Sequence, residues 1–252
     1  MKSPLQMMRT REVRCSGDFL KWMGFLCICM GTASTAIFQN GILNVSGESL
    51  YDLLEPGRGM MGVASCAVVL MLLSAMAIPI YARLLYEGWK HTSSVKWYFL
   101  RLGGIALLSE APYDWAMQGK WVDMSQQNPV WGLVLALVML EIFRRYGEGK
   151  GTAKFLLKVL VLFAACLWAL LIQSYMGVLT ILLIASFYFL ANHKKASFWV
   201  GLLLSCMQFP APFGMLFAHW YDGSKPKAPS GLFYALYPLQ LVVFGFIGQI
   251  LL

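Results

Sequence analysis

The feature that most constrains this chain is a series of long apolar runs separated by short polar stretches. A helix that crosses the hydrocarbon core of a bilayer needs about 20 apolar residues, and a shorter run must extend into its flanks. We therefore predict an all-α fold, a polytopic integral membrane helical bundle with about eight transmembrane helices. The runs lie at Phe19–Phe38, Met60–Ala82, Trp97–Leu108, Pro129–Phe143, Phe155–Ile172, Met176–Ala191, Phe198–Phe217 and Leu232–Leu252.

The composition argues against a soluble protein. Hydrophobic residues make up 59% of the 252 residues and charged residues 13%, whereas a soluble domain has about 25% charged residues. Too little polar surface remains to cover a globule in water, so lipid is the expected solvent. The net charge of +8 lies in short loops, where it indicates topology and contact with anionic lipids. No motif indicates binding to nucleic acid.

The distribution of lysine and arginine predicts which ends face the cytoplasm. With the N-terminus inside and eight spans, 16 of the 20 basic residues fall on the inner side, as the positive-inside rule requires. We therefore predict an N-in/C-in topology. It comprises a cytoplasmic basic segment at residues 1–18 and a single transmembrane domain at residues 19–252. This topology places His219, Asp222 and Lys227 outside.

The cysteines and histidines do not predict a metal or disulfide site. Of the six cysteines, Cys15 lies in the basic N-terminal segment and the others lie inside apolar runs, so a disulfide framework is not expected. The three histidines are scattered, and no pair has the spacing of metal ligands. We predict no metal and no permanently bound cofactor.

The densest polar cluster at a membrane edge follows the second run and reads Tyr-Glu-Gly-Trp-Lys-His-Thr from Tyr86 to Thr92. Glu87 and His91 are four residues apart, so on a continuous helix they share one face. A carboxylate beside an imidazole fixes its tautomer and raises its basicity, which suits a general base. We predict Glu87 and His91 as catalytic residues. A helix end with a satisfied polar cap is the structural alternative.

A second polar group lies between the third and fourth runs. Ionisable residues at the ends of spans are costly to bury and often functional, which makes Glu110 and Asp114 candidates for substrate binding, as are the amides of Gln127 and Asn128. Each has a structural alternative. Glu110 can be an ordinary interfacial acid, and Asn128 before Pro129 is typical of a helix N-terminus.

Several of these motifs occur together in one known family. They are Pro79–Ala82, Glu87–Thr92, Tyr98 with Arg101 and Leu102, Ser109 and Glu110 with Pro112 and Asp114, Gln127 and Asn128, and the closing Phe233–Leu239. In this order and spacing the chain resembles the TraX family, named for the conjugative protein that acetylates the N-terminus of pilin. The resemblance extends over most of the chain from the second run onward. It adds Tyr237, in the closing motif, as a substrate-binding candidate.

The resemblance implies a multi-pass acyltransferase of the bacterial inner membrane that takes an acetyl group from acetyl-CoA. The acceptor is an amine or hydroxyl, on a peptide N-terminus or a glycan. Coenzyme A is polyanionic, so Arg83, Lys90 and Arg101 are the expected contacts to this cosubstrate. Basic anchoring at the inner face is the alternative role for these residues. The other expected partner is the lipid bilayer.

The sequence also departs from the family pattern. The family's first span usually ends with an Asp-His pair, but here the stretch Met30–Ser34 has neither residue. The family's aspartate between the fifth and sixth spans is replaced around Gln173, and its histidine after Tyr-Pro is Gln240. General acid–base catalysis contributes about two to four powers of ten in rate. Either His91 supplies it here, or the protein is a non-catalytic membrane scaffold or a transporter-like accessory subunit.

Overall fold

The structure, a computed structural model, describes residues 15–45, 60–147, 149, 151–224, 227 and 229–252. Over these residues the chain forms helices and no strand, apart from two isolated β-bridges. The all-α prediction is therefore confirmed. The basic segment 1–14 and the loop 46–59 lie outside the described residues.

In chain order the helices are α1 (Gly17–Thr32), α2 (Met61–Ser74), α3 (Ala77–His91), α4 (Val95–Leu108), α5 (Glu110–Gln118), α6 (Val130–Tyr146), α7 (Thr152–Leu171), α8 (Gly177–Phe189), α9 (Lys194–Ser205), α10 (Ala211–His219) and α11 (Ser230–Leu251). A π-helical segment, Ala33–Ile42, continues α1 without a break. Ser16 caps α1, because its Oγ accepts the Phe19 N–H at 3.2 Å.

Four described helical segments are long and apolar enough to cross a bilayer, namely Gly17–Ile42, Met61–His91, Thr152–Leu171 and Gly231–Leu251. The helix α8 is apolar but shorter. On α7 large apolar side chains face outward, and Phe163 is 67% exposed. Apolar surface of this kind is stable in lipid and not in water, so the chain is a membrane protein. The predicted number of eight spans remains a prediction.

The centre of the bundle lies between α6 and α8. Leu137 and Leu140 on α6 and Ile181 on α8 are fully buried. The two backbones come very close, because a Cβ added at Gly132 would lie 2.8 Å from the Cα of Gly177. In lipid, helix association depends on such close packing at small residues.

The helix α4 defines two ends of the bundle. Its first residue, Val95, follows closely after α3, and its last residue, Leu108, precedes α5. A helix of this length spans about 21 Å. We name the end where α3 finishes the Glu87 end, and the end where α5 begins the Glu110 end.

The seventh predicted span, Phe198–Phe217, is not a single crossing. It consists of α9 and α10, which meet at a turn around Pro210. Lys194 at the start of α9 and His219 at the end of α10 both line a pocket with Glu87, so the pair enters the bundle and returns to the same end. Proline lacks the N–H that would continue a helix, and the turn accordingly falls at Pro210.

The structure does not confirm the predicted N-in/C-in topology, because the start of α1 and the end of α11 lie at different ends of the bundle. Cys15 donates its N–H to the carbonyl oxygen of Trp220 at 2.8 Å, so α1 begins at the Glu87 end. Near the other terminus, Gly248 of α11 packs against the backbone of Ala36 in the π-helical segment, and a Cβ at Gly245 would meet Trp115 of α5 at 3.1 Å. The helix α11 thus ends at the Glu110 end, opposite the start of α1.

Candidate functional site

The predicted catalytic pair lies together at the last turn of α3. Glu87 Oε1 forms an ion pair with the Arg83 guanidinium at 2.9 Å, and Glu87 Oε2 lies 3.4 Å from His91 Nε2. The three residues share one face because they are spaced by four positions. Glu87 is 9% exposed, whereas about half of the His91 side chain is open to solvent. The carboxylate is therefore held by two partners while the imidazole faces outward.

A pocket of about 290 Å³ adjoins this pair. Its walls come from α3, from Phe187 on α8, and from the α9–α10 hairpin with the residues after it. The hairpin contributes Lys194 and His219, whose ring lies 4.4 Å from the ring of Phe198, and the residues after it contribute Asp222. The sequence analysis placed His219 and Asp222 outside, and the structure corrects this because both line the same pocket as Glu87.

The predicted coenzyme A contacts are divided between two places. Arg83 and Lys90 line the pocket. The Arg83 guanidinium also packs over the ring of Phe187 at 5.4 Å, which fixes it beside Glu87. Arg101 is exposed on α4, where its Nε donates to the carbonyl oxygen of Trp97 at 3.3 Å, and it is not among the pocket residues. Lys194, which sequence reasoning did not select, takes a place in the pocket instead.

Glu110 lies at the opposite end, in a network of neutral donors. Its Oε1 accepts the backbone N–H of Asn128 at 3.2 Å, and its Oε2 accepts the Trp131 Nε1–H at 2.7 Å and the Asn128 side-chain amide. The Asn128 side-chain oxygen accepts the N–H of Val130, the first residue of α6, at 3.0 Å, although the cap position itself is Pro129 and not the predicted Asn128. The network joins the start of α5 to the start of α6.

The other predicted substrate contacts near Glu110 take part in the same junction. Gln127 pairs through its backbone with the turn after α7, donating to the Gln173 carbonyl and accepting from the Tyr175 N–H at 3.1 and 3.0 Å. Asp114 is 3% exposed and accepts the Asp123 N–H at 2.8 Å. These contacts hold loops together, and the structure does not bring Gln127 or Asp114 near Glu87.

Tyr237 is buried on α11 and lines a separate, larger cavity. Thr32, in the stretch where the family pattern has an Asp-His pair, lines the same cavity. Gln240, one turn beyond Tyr237, is 7% exposed. Thr32 thus lies at this cavity, and neither Thr32 nor Gln240 lies in the pocket of Glu87.

The Glu87 pocket has the groups that proton transfer requires. It combines a carboxylate, a solvent-accessible imidazole and three cationic side chains, those of Arg83, Lys90 and Lys194. Such an arrangement can accept a proton and bind an anion in one place. Within the described residues, no group of three or more histidine, cysteine or acidic side chains is placed to hold a metal ion.

Comparison with known proteins identifies the family. A family model described as "TraX: TraX protein" matches residues 16–248, which is nearly the whole chain. A search of curated proteins gave no match, and neither did a search of solved structures. The match begins at Ser16, just before α1, and reaches Gly248 near the end of α11, so it includes both the Glu87 pocket and the Glu110 network. The chain belongs to the TraX family.

Proposed function

We propose that this protein is a multi-pass membrane acyltransferase that moves an acetyl group from acetyl-CoA to an amine or hydroxyl acceptor. The observation that carries the proposal is Glu87, held between Arg83 and His91 beside a pocket with two further cations. Membership of the TraX family supports it. A peptide N-terminus or a glycan supplies the acceptor group.

The charges around the pocket support a cytoplasmic donor. Lys90, Lys194 and Arg83 line it, and the backbone N–H of Lys227 bonds to Asp18 at 3.0 Å beside the start of α1. Lys227, which the sequence predicted on the outer side, thus lies at the Glu87 end. Lysine and arginine concentrate on cytoplasmic loops, so the Glu87 end faces the cytoplasm of a bacterial inner membrane in this proposal.

The chemistry follows from the orientation of the imidazole. Glu87 lies at His91 Nε2, which favours the tautomer that leaves Nδ1 free to accept a proton. The acceptor attacks the carbonyl carbon of the thioester while His91 takes the proton of its amine or hydroxyl. The carbon–sulfur bond breaks, and the proton passes from His91 to the leaving sulfur. A pocket of about 290 Å³ holds the acyl end, and the nucleotide end of coenzyme A extends beyond it.

The test is acetyl transfer from radiolabelled acetyl-CoA by purified protein in proteoliposomes, with a small amine and a sugar as trial acceptors. His91→Ala lowers the rate by about 100-fold or more, because it removes general base catalysis. His193→Ala is the matched control, since His193 is exposed and is not a pocket residue. Equal rates for the two variants would remove His91 from the mechanism.

A binding measurement separates this proposal from the alternative of a scaffold or accessory subunit without catalysis. Coenzyme A at millimolar concentration raises the melting temperature of the wild-type protein in detergent, and Arg83→Ala with Lys194→Ala abolishes the increase. Absence of both binding and transfer in the wild type favours the non-catalytic alternative.

A further inference from the structure

A second cavity in the structure has a volume of about 650 Å³, which lies in the usual range for small-molecule sites. Its lining extends from Ile28 on α1 to Gln39 in the π-helical segment. At about 1.5 Å per residue this corresponds to about 16 Å along the bundle, roughly half the thickness of the hydrocarbon core. The cavity is therefore long enough for an extended chain.

This cavity shares no lining residue with the Glu87 pocket, because α3 separates the two. Ile78 and Tyr81 face the cavity, whereas Arg83, Glu87 and Lys90 face the pocket. Residues 81 and 83 project from roughly opposite sides of a helix, since successive residues are about 100° apart. A ligand in the cavity therefore occupies a site distinct from the donor pocket.

The lining of the cavity is uncharged. No aspartate, glutamate, lysine, arginine or histidine is among its described lining residues. Aliphatic side chains and ring faces form most of the wall, and hydroxyls and amides concentrate towards the Glu110 end, at Gln118, Ser125 and Gln126. A charged group entering such a site would lose its hydration without gaining a counter-charge. The lining of the cavity therefore favours a molecule with an apolar body and a neutral head group that forms hydrogen bonds.

A buried hydroxyl in the wall gives independent support for a ligand. Tyr237 is 7% exposed and lines the cavity, and its hydroxyl has no hydrogen-bond partner within the described part of the chain. The hydroxyl of Tyr113, on the same cavity, has the Gln126 side chain at 3.4 Å. Buried hydroxyls normally have a partner, and a neutral head group can supply one to Tyr237.

We propose that this cavity binds one uncharged amphiphile from the membrane, with its chain along the bundle and a hydroxyl- or amide-bearing head bonded to Tyr237. The site does not depend on the proposed acetyl transfer, because it has a different lining and a different ligand chemistry. The uncharged lining selects an uncharged ligand. A monoacylglycerol therefore binds, and a fatty acid anion with the same acyl chain does not.

The test measures binding of radiolabelled monooleoylglycerol to full-length protein held in amphipol, which avoids competing sugar detergents. We expect saturation at one molecule per chain, and at least tenfold weaker binding of oleate at pH 8. Tyr237→Phe removes only the hydroxyl and weakens monooleoylglycerol binding about fivefold, as loss of one hydrogen bond predicts. Tyr146→Phe is the matched control, since Tyr146 is 65% exposed at the end of α6.

A second pair of variants tests the location. Thr35 lines the cavity from the π-helical segment, whereas Ile37, two residues further, does not. Thr35→Phe fills the space and abolishes saturable binding, and Ile37→Phe leaves it unchanged. Equal affinity for oleate and monooleoylglycerol, or wild-type affinity of Tyr237→Phe, overturns the proposal. Loss of acetyl transfer with binding retained leaves it intact and counts against the proposed function alone.

Discussion

Two carboxylates at opposite ends of the bundle differ in the groups that hold them. Glu87 contacts a guanidinium and an imidazole, both of which carry or can carry positive charge. Glu110 accepts hydrogen bonds from a backbone amide, a side-chain amide and an indole, all of them neutral. Both residues were predicted as functional because each is an acid at the end of a predicted span. Their roles are distinguished only by the groups that contact each carboxylate.

The difference in partners indicates what each carboxylate can do. Half of the His91 side chain is exposed, so the group beside Glu87 can meet a substrate and exchange a proton. The donors around Glu110 belong to Asn128, just before α6, and to Trp131, in its first turn, so the bonds of Glu110 fix the geometry of a helix junction. A negative group near the N-terminus of a helix is also favoured by the helix dipole. The Glu110 end therefore stabilises the fold, and the Glu87 end is suited to chemistry.

The largest expected effect on stability comes from Glu110→Ala. Three donors lose their acceptor, and bonds to a charged group contribute about 1.5 to 3 kcal/mol each, less where water replaces them. We expect a loss of about 3 kcal/mol in the free energy of unfolding, measured by denaturation in mixed micelles with tryptophan fluorescence. Glu87→Ala is the comparison, with a loss of about 1 kcal/mol, because its partners are partly exposed. Equal losses for the two variants contradict the division of roles.

The sequence predicted the edges of several helices well. The third run was predicted at Trp97–Leu108, and α4 spans Val95–Leu108. Asn128 before Pro129 predicted a helix start, and α6 begins at Val130 with its N–H bonded to Asn128. The start of α6 depends on local chemistry, namely the Asn128 side chain and the geometry of Pro129, which neighbouring residues determine.

The hairpin of α9 and α10 could not be predicted in the same way. The prolines at 210 and 212 predict a kink or a break in the seventh run, but the same apolar sequence is compatible with a kinked crossing and with a returning hairpin. The direction of α10 is set by distant contacts, such as the close packing of Gly214 against the backbone of Met76. For this reason the Glu87–His91 contact was predictable from a spacing of four, whereas the approach of His219 to the same pocket was not.

A smaller effect is expected from Trp131→Phe, which removes one donor to Glu110 and keeps most of the ring. The Trp131 Nε1–H lies 2.7 Å from Glu110 Oε2, and losing one such bond costs about 1 to 2 kcal/mol. The same unfolding measurement detects it. In the double variant with Glu110→Ala the two losses are not additive, because both remove the same bond. Additive losses show that Trp131 stabilises α6 by packing alone.

The smallest effect concerns the loop at the Glu110 end and depends on pH. Hydrogen bonds from the side chain and backbone of Ser125 lower the pKa of Asp123, and the Asp123 N–H joins this loop to Asp114. Folding therefore favours the ionised form, so the contribution to stability is present above the ordinary aspartate pKa of about 4 and is lost as the pH falls through the lowered value. We expect amide exchange in residues 119–127, corrected for intrinsic rates, to increase between pH 5 and pH 3. In Asp123→Asn this step disappears, since the asparagine does not titrate. If the step persists in that variant, another group controls the loop, and the acid sensitivity of this end does not originate at Asp123.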